Sequence, residues 1–168
     1  MAYPNPTELT LICFDATRAE QKAFRGLRYF AYDEQYAVPA KLHVYPQPAT
    51  VVMATSRHTE KTFYRYAECL FTIGATPCRL GVFKSELSGP NAETLFIPFT
   101  DLTTGKQSYP AGRFLEIPDP HVADFMLDFN EAFNPLCNYA DTYNCPRPPK
   151  ENALSVAIRA GEMTYGKH

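Results

Sequence analysis

Apolar and polar residues alternate along most of this chain in short runs. Between residues 61 and 73 the apolar side chains fall on odd positions, at Phe63, Ala67, Cys69, Phe71 and Ile73. A period of two is typical of β-strands with one buried face. Runs of this kind, separated by Pro, Gly, Asn or charged clusters, predict strands at residues 29–38, 41–46, 49–56, 61–73, 78–85, 94–102, 112–118, 124–129 and 154–162.

About nine short strands with little helix favour a mainly β fold, an antiparallel β-sandwich or barrel. The alternation does not distinguish a sandwich from a closed barrel. One short helix is predicted at residues 16–25, where Thr17 and Glu20 have capping-box spacing and Gly26 ends the run. A length of 168 residues fits a single domain (1–168), with an N-terminal arm and helix (1–25) and a β core (26–168) that includes a Pro/Asn-rich loop at 130–152.

Charge and composition exclude several classes of protein. Sixteen basic and eighteen acidic side chains give a net charge of -2, which argues against binding of nucleic acid through a positive field. No apolar run approaches the ~20 residues that a membrane-spanning helix needs, so no contact with a membrane is expected. The N-terminus lacks a basic segment followed by a long apolar run, and a cytoplasmic location is therefore expected.

Three charged residues continue rows that are otherwise apolar. Asp101 follows the row of Leu95, Ile97 and Phe99, Arg113 precedes the row of Leu115 and Ile117, and Glu162 follows the row of Leu154, Val156, Ile158 and Ala160. A charge removed from water requires a partner. Three interpretations stay open: the residues reach solvent at the sheet rim, they form a buried salt bridge, or they line a ligand pocket in which Arg113 binds an anion.

The loop after residue 128 is rich in Asn, Asp, Pro and aromatic residues. A long connection without regular structure is usually functional or else held by its own side-chain hydrogen bonds. Asn and Asp side chains suit the second role because they satisfy backbone groups outside a ladder. The alternative is an oxygen-rich site for a hard cation such as Mg or Ca, formed by Asp128, Asn130, Asn134, Glu151 and Asn152.

Five cysteines and four histidines show no metal-ligand spacing, and no metal site is assigned. Cys137 and Cys145 are close enough in sequence, in a Pro-rich loop, to be a thiol pair. They are either structural thiols, a disulfide, or half of a metal or redox site.

Several consecutive blocks of the sequence resemble a known family. The blocks begin at Leu95 (LFIPFTDLTTG), Tyr109 (YPAGRFL), Leu127 (LDFNEAFNPLC), Cys145 (CPRPPKEN) and Ile158 (IRAGE), with looser agreement upstream at Phe24, Met53 and Tyr64. In this order they resemble the family catalogued as domain of unknown function 1684. The resemblance implies a bacterial or archaeal protein of uncharacterised activity and supplies no reaction.

The resemblance also implies which positions matter. Beyond the residues singled out above, it points to a further set of positions: Thr103, Gly105, Tyr109, Gly112, Phe129, Pro135, Pro146 and Gly161. The sequence departs from the family pattern at Asn138 (usually small), Arg147 (usually aliphatic) and Met163 (usually Lys).

Two hypotheses for function follow. In the first, the protein binds a small molecule or anion in a polar pocket around Arg113, with Asp101, Tyr109 and Glu162 at the mouth and the 130–152 loop as a wall. In the second, it is a non-catalytic structural or protein-interaction module whose polar residues lock that loop onto the sheet. No cofactor is identified, no catalytic or nucleotide-binding motif is present, and neither catalysis nor an oligomeric state is assigned.

Overall fold

The fold is built on one curled, antiparallel sheet of six strands, a half-barrel. A computed structural model describes residues 2–5, 8–11 and 15–166. The sheet has the strand order β7-β6-β5-β4-β3-β8. Its strands are β3 (Ala37–Ala54), β4 (Glu60–Ile73), β5 (Thr76–Lys84), β6 (Thr94–Phe99), β7 (Arg113–Pro118) and β8 (Asp124–Asp128), and a separate hairpin comprises β1 (Ala2–Asn5) and β2 (Glu8–Leu11).

Helical structure is limited to short pieces. One α-helix, α1, covers Ala19–Ala23. Four 3-10 turns follow, at Glu34–Tyr36, Phe129–Glu131, Leu136–Asn138 and Lys150–Asn152. None of the helices in the described residues has the length and apolar character needed to cross a membrane.

Two irregularities shape the long strands. The pairing of β3 with β4 shifts register between Val44 and Ala49, and the pairing of β4 with β5 shifts between Arg65 and Ala67. An unpaired extra residue bends a strand and increases its twist. Tyr66 is the extra residue on β4, so the sheet curls at this position.

The core lies on one face of the sheet and is completed by irregular chain rather than by a second sheet. Alternating residues of β3, β4, β5 and β6 supply most of its side chains. Phe129 and Ala132 from a 3-10 turn, and Leu154, Ile158 and Ala160 near the C-terminus, pack against them. A second cluster, which includes Phe63, Phe83, Phe96 and Phe114, lies apart from this core. The ring of Phe63 stacks on that of Phe96, and Phe96 meets Phe114 edge to face.

Several predicted elements differ from the structure. The mainly β, antiparallel fold is confirmed, but the predicted strands at 41–46 and 49–56 are one bulged strand, β3. The predicted strands at 29–38 and 154–162 are wrong, because these segments join the rest of the fold through isolated bridges and side-chain hydrogen bonds instead of ladders. Neither the count of nine strands nor a sandwich is confirmed within the described residues.

The predicted helix at 16–25 is shorter than expected. Thr17 does not cap it, because the Thr17 hydroxyl and N–H both donate to Asp15 Oδ1, at 2.6 and 2.8 Å. Arg18 takes the cap position without a side-chain cap. The helix therefore begins only at Ala19.

Candidate functional site

Arg113, the first residue of β7, is fully buried and binds the C-terminal segment. Its Nη2 donates to Asp101 Oδ2 at 3.0 Å and to the carbonyl of Ile158 at 2.7 Å. Its Nη1 donates to the carbonyls of Ala160 and Glu162. One planar guanidinium thus binds the carbonyls of three alternate residues, as a neighbouring strand would.

The carboxylate of Asp101 completes this arrangement. Asp101 Oδ1 accepts the backbone N–H of Thr103 at 2.7 Å and that of Ile158 at 3.2 Å. The aromatic rings of Phe30 and Phe99 lie 5.8 and 5.4 Å from the Arg113 guanidinium carbon. Burial lowers the pKa of Arg113, and the adjacent Asp101 opposes that effect. The pair is a buried ion pair whose Nη1 and Nη2 donors bind the protein itself, whereas Arg113 Nε is buried without a hydrogen-bond partner in the described residues.

Glu162 is buried nearby and fastens a second segment. Its Oε2 accepts the N–H of Asn134 at 2.7 Å and the hydroxyl of Tyr139 at 2.6 Å. Its Oε1 accepts the hydroxyl of Tyr29 at 3.2 Å. Burial and the contact with Glu162 raise the pKa of Tyr139, so this hydroxyl is a hydrogen-bond donor at neutral pH. The amide of Asn134 donates to the carbonyl of Met163 at 2.8 Å.

Asn152 is fully buried between β5 and β6. These two strands are paired only at Phe83 and Phe96. The Asn152 amide donates to the carbonyls of Gly81 and Pro98, at 2.9 and 2.7 Å, and its Oδ1 accepts the Gly81 N–H at 2.7 Å. The side chain therefore occupies the gap where a ladder is missing.

The remaining predicted loop residues are separate from this set. Asp128 Oδ1 accepts the N–H and the amide of Asn130, both at 2.8 Å, and Asn130 binds the backbone of Asp33. Glu151 pairs with Arg65 at the surface. The five residues considered for a cation thus bind different segments. Among the described residues no group of three His, Cys, Asp or Glu side chains is arranged to hold a metal ion.

Tyr109 lies beside the thiol pair. Its hydroxyl donates to the carbonyl of Cys137 at 3.3 Å and lies 3.6 Å from Cys137 Sγ. The backbone N–H of Cys137 donates to Cys145 Sγ at 3.3 Å. Both cysteines are free thiols. The structure therefore brings together the two cysteines that the sequence paired, without a bond between them.

Arg113 lines neither of two cavities that open on the described part of the molecule. The larger, about 540 Å³, is here called the α1 cavity, and its wall includes Ala19, Arg25, Arg28, Tyr139, Asp141 and Tyr165. The smaller, about 330 Å³, is lined by Tyr66, Asp119, His121 and apolar residues of β3. The Arg113 side chain is 0% exposed, so neither of these two cavities reaches it.

A buried ion pair beside the smaller cavity was missed by the sequence reasoning. Lys84 Nζ lies 2.8 Å from Asp119 Oδ2, with side chains 7% and 1% exposed. Lys84 donates to the carbonyl of Ala92 at 2.6 Å and lies 4.0 Å from the ring centre of Tyr66. The signal was present in the sequence, because Lys84 continues the row of Leu80 and Val82 as Asp101 continues its own.

Acid should weaken this pair. Burial acts to raise the pKa of Asp119, but hydrogen bonds from Lys84, the His121 N–H and Tyr66 outweigh it and hold the pKa below its ordinary value of 3.8. A carboxylate with a lowered pKa contributes stability above its unfolded pKa and loses it as the pH falls through the folded pKa. We expect Asp119→Asn to lower the free energy of unfolding by about 1.5–3 kcal/mol at neutral pH, and much less in strong acid.

Urea unfolding of both proteins at pH 7 and near pH 3 measures this difference. Asp124→Asn is the matched control, because Asp124 is 77% exposed and lies 3.9 Å from Lys41, and it should change stability by less than about 0.5 kcal/mol at either pH. An advantage of the wild type that stays constant from neutral to acid pH would contradict the role assigned to Asp119.

The fold is shared with a solved structure. The chain is similar to an uncharacterised protein of Haloarcula marismortui, solved by solution NMR, with a TM-score of 0.71 and 37% sequence identity. The match covers 90% of this chain and 83% of that one. The class is therefore that of mainly β proteins built on a curled six-stranded sheet.

Within that class, the chain belongs to the family described as protein of unknown function (DUF1684), whose model matches residues 22–163. The resemblance recognised in the sequence is confirmed. The matched region contains Asp101, Arg113, Asn134, Asn152 and Glu162. A search of curated proteins found no match.

Proposed function

We propose that the protein binds a small anionic molecule in the α1 cavity. The supporting observation is the cavity itself: about 540 Å³ of space with two arginines, Arg25 and Arg28, in its wall. Sites for small molecules commonly have volumes of roughly 300–1,000 Å³ and a few placed polar groups. The expected pocket around Arg113 is replaced by this one, because Arg113 is buried and its bonds are made within the protein.

The charge of the cavity supports an anion. Arg28 is exposed, and its guanidinium has no hydrogen bond or ion pair within the described chain. Arg25 Nη1 donates to the carbonyls of Lys22 and Phe24. One carboxylate, Asp141, lies in the same wall, so two arginines face one aspartate. An arginine fork binds carboxylate or phosphate with two parallel hydrogen bonds.

Aromatic rings beside the cavity support a ligand with a flat apolar part. Phe24 stacks on Tyr165 with ring centres 5.7 Å apart, and Tyr165 meets Tyr139 at 5.4 Å. Tyr139 also presents a hydroxyl that Glu162 holds in place. The chemistry favours an aryl or heteroaryl group bearing a carboxylate or phosphate. The proposal concerns binding and assigns no reaction.

The buried polar residues contribute to this site indirectly. Glu162 and Asn134 fix Tyr139 in the cavity wall, and Arg113 fixes the backbone of Glu162. Their task is to hold the wall in one position, which is the preorganisation that a binding site needs.

Thermal unfolding with phenyl phosphate, benzoate and inorganic phosphate tests the proposal. A ligand that binds only the folded state raises its stability, by about 2.7 kcal/mol at one hundred times Kd. We expect phenyl phosphate to raise Tm most, and Arg28→Ala to weaken its binding at least about tenfold, or 1.4 kcal/mol. Arg79→Ala is the matched control, since Arg79 lies on β5 and pairs with Glu68.

Either of two results would count against binding in the α1 cavity. One is an unchanged Tm with all three probes at millimolar concentration. The other is a rise in Tm that Arg28→Ala and Arg79→Ala leave equally intact, since the arginine in the wall would then have no part in it.

A second candidate is the non-catalytic structural or interaction module. It is favoured by one observation, that Asp101 and Glu162 accept hydrogen bonds from within the protein on both of their carboxylate oxygens. In this hypothesis the buried polar residues, Asp101, Arg113, Asn134 and Glu162, serve only to hold the 130–152 loop and the C-terminal segment in place. A flat response to the anionic probes together with strong destabilisation by substitutions in the polar set would favour it.

A further inference from the structure

The two cysteines of the 130–152 loop are in contact although they are 8 positions apart in the sequence. The backbone N–H of Cys137 donates to Cys145 Sγ at 3.3 Å, and the Tyr109 hydroxyl lies 3.6 Å from Cys137 Sγ. Cys137 lies in the 3-10 turn Leu136–Asn138. Cys145 is tied to the turn after β3, where its N–H donates to Ser56 Oγ and its carbonyl accepts the Ser56 N–H. Both thiols are therefore held in place from outside the pair.

We propose that Cys137 and Cys145 are a redox-active pair that a hydroperoxide converts to a disulfide. The Cys137 sulfur attacks one peroxide oxygen, the O–O bond breaks, and Cys137 becomes a sulfenic acid with release of water or an alcohol. The Cys145 sulfur then displaces the hydroxyl as a second water, and the S–S bond forms. Two thiols lose two electrons and two protons, and the peroxide accepts them.

The surroundings of the two thiols assign their order of reaction. Cys137 is only partly buried and is the thiol that a solvent-borne oxidant reaches, whereas Cys145 is buried. Burial raises the pKa of Cys145 to about 11, and the Cys137 N–H opposes this shift. A buried thiol with a raised pKa reacts poorly with an oxidant in solution. Its place beside Cys137 brings it within reach of a sulfenic acid formed there, which favours the second step by proximity.

The other described cysteines serve as internal controls. Burial raises the pKa of Cys69 to about 12 and also raises the pKa of Cys78. Cys78 donates to a backbone carbonyl and Cys69 is fully buried. Neither thiol has a second thiol among its hydrogen-bond partners, so neither has a sulfur with which to form an intramolecular bond.

The disulfide would change how firmly the wall of the α1 cavity is held. Its effect on ligand binding rests on the proposed function. The bond would close a loop containing Tyr139, Ala140 and Asp141, three residues of the cavity wall. Closing a loop removes conformational freedom from it. The oxidised protein should therefore hold this wall more rigidly and bind phenyl phosphate with a different affinity from the reduced protein.

The test uses the full chain. Reduced protein is treated with a small excess of hydrogen peroxide, the remaining thiols are blocked with N-ethylmaleimide, and the tryptic peptides are analysed by mass spectrometry. No Lys or Arg lies between Cys137 and Cys145, so both fall in one peptide, which should lose about 2 Da and regain it with dithiothreitol. Cys78→Ser should behave as the wild type, whereas Cys145→Ser should accumulate oxidised Cys137 without the bond.

The outcomes separate the two proposals. Formation of the bond with no change in phenyl phosphate binding supports the redox pair and removes its link to the cavity. Irreversible oxidation of Cys137 in the wild type while Cys145 stays reactive with N-ethylmaleimide would overturn the redox pair. Equal alkylation of both cysteines with and without peroxide would also overturn it, whatever the cavity binds.

Discussion

Arg113→Met should lower the free energy of unfolding by about 3–5 kcal/mol, the typical cost of removing one partner from a buried ion pair. The substitution leaves Asp101 charged, with its side chain 1% exposed. It also leaves the carbonyls of Ile158, Ala160 and Glu162 without their donor. A loss of this size is a large fraction of the 5–15 kcal/mol that typically stabilises a domain.

Urea denaturation of a set of variants measures this loss of stability and separates the cost of the unpaired charge from the cost of the lost hydrogen bonds. Arg79→Met is the control, since Arg79 is an exposed arginine on a strand, and it should cost less than about 0.5 kcal/mol. The double variant Arg113→Met with Asp101→Asn should recover part of the loss, because no unpaired charge remains inside. Arg113→Lys should fall short of the wild type, since an ammonium lacks the planar fork.

A small effect would be informative as well. If Arg113→Met cost less than about 1 kcal/mol, the guanidinium would not be the main fastener of residues 158–162. Failure of Arg113→Met to fold at all leaves Arg113→Lys and the double variant to decide the point, because both avoid the unpaired buried carboxylate.

Asn152→Ala should be the second severe change, at about 2–4 kcal/mol. It removes three hydrogen bonds at a fully buried position and leaves the Gly81 N–H, the Gly81 carbonyl and the Pro98 carbonyl without partners. Each buried polar group left unsatisfied costs about 1–3 kcal/mol. Asn152→Asp should be at least as harmful, because a carboxylate would then face two carbonyl oxygens that need donors.

Hydrogen exchange provides a local reading of the same change. In Asn152→Ala the Gly81 N–H loses its acceptor. It should therefore exchange faster than the loss of global stability relative to the wild type would explain. Asn91→Ala is the control, since Asn91 is an exposed asparagine, and surface changes are usually within about 0.5 kcal/mol. Unaltered exchange at Gly81 together with a loss of stability below about 1 kcal/mol would contradict the bridging role.

The period of two predicted the strands well wherever a strand has a partner. The segment 61–73 corresponds to β4, 78–85 to β5 and 112–118 to β7, each within a few residues. Alternation also placed Asp101, Arg113 and Glu162 on buried rows, and the structure brings them together in one network. Alternation predicts the burial of such charged residues because each side chain points to the same face of its strand as the apolar side chains in its row.

The prediction of a last strand at 154–162 failed for a related reason. Alternation reports which side chains are buried, and Ile158, Ala160 and Glu162 are indeed buried. It does not report what binds the backbone. Here the Arg113 side chain binds carbonyls that a neighbouring strand usually binds, and isolated bridges hold the rest of the backbone. The segment therefore alternates without joining the sheet.

The α1 cavity was beyond sequence reasoning. Its wall combines α1 with Tyr139 and Tyr165, segments more than 100 residues apart in the printed sequence. No local period links such residues. Tyr139 lies in the wall, where its hydroxyl donates to Glu162, and no sequence pattern marks that contact.

Strand β3 is longer than its partner β8, which pairs with it only from Ala37 to Lys41. Farther along β3, its second side has no strand partner within the described residues, and Val44 and Val52 are exposed there. An open edge of this kind invites a strand from another molecule. Pro46 and Pro48 lie in the middle of this edge and offer no N–H groups for pairing. The same bulged segment that bends β3 therefore disfavours edge-to-edge pairing with a second copy of the chain.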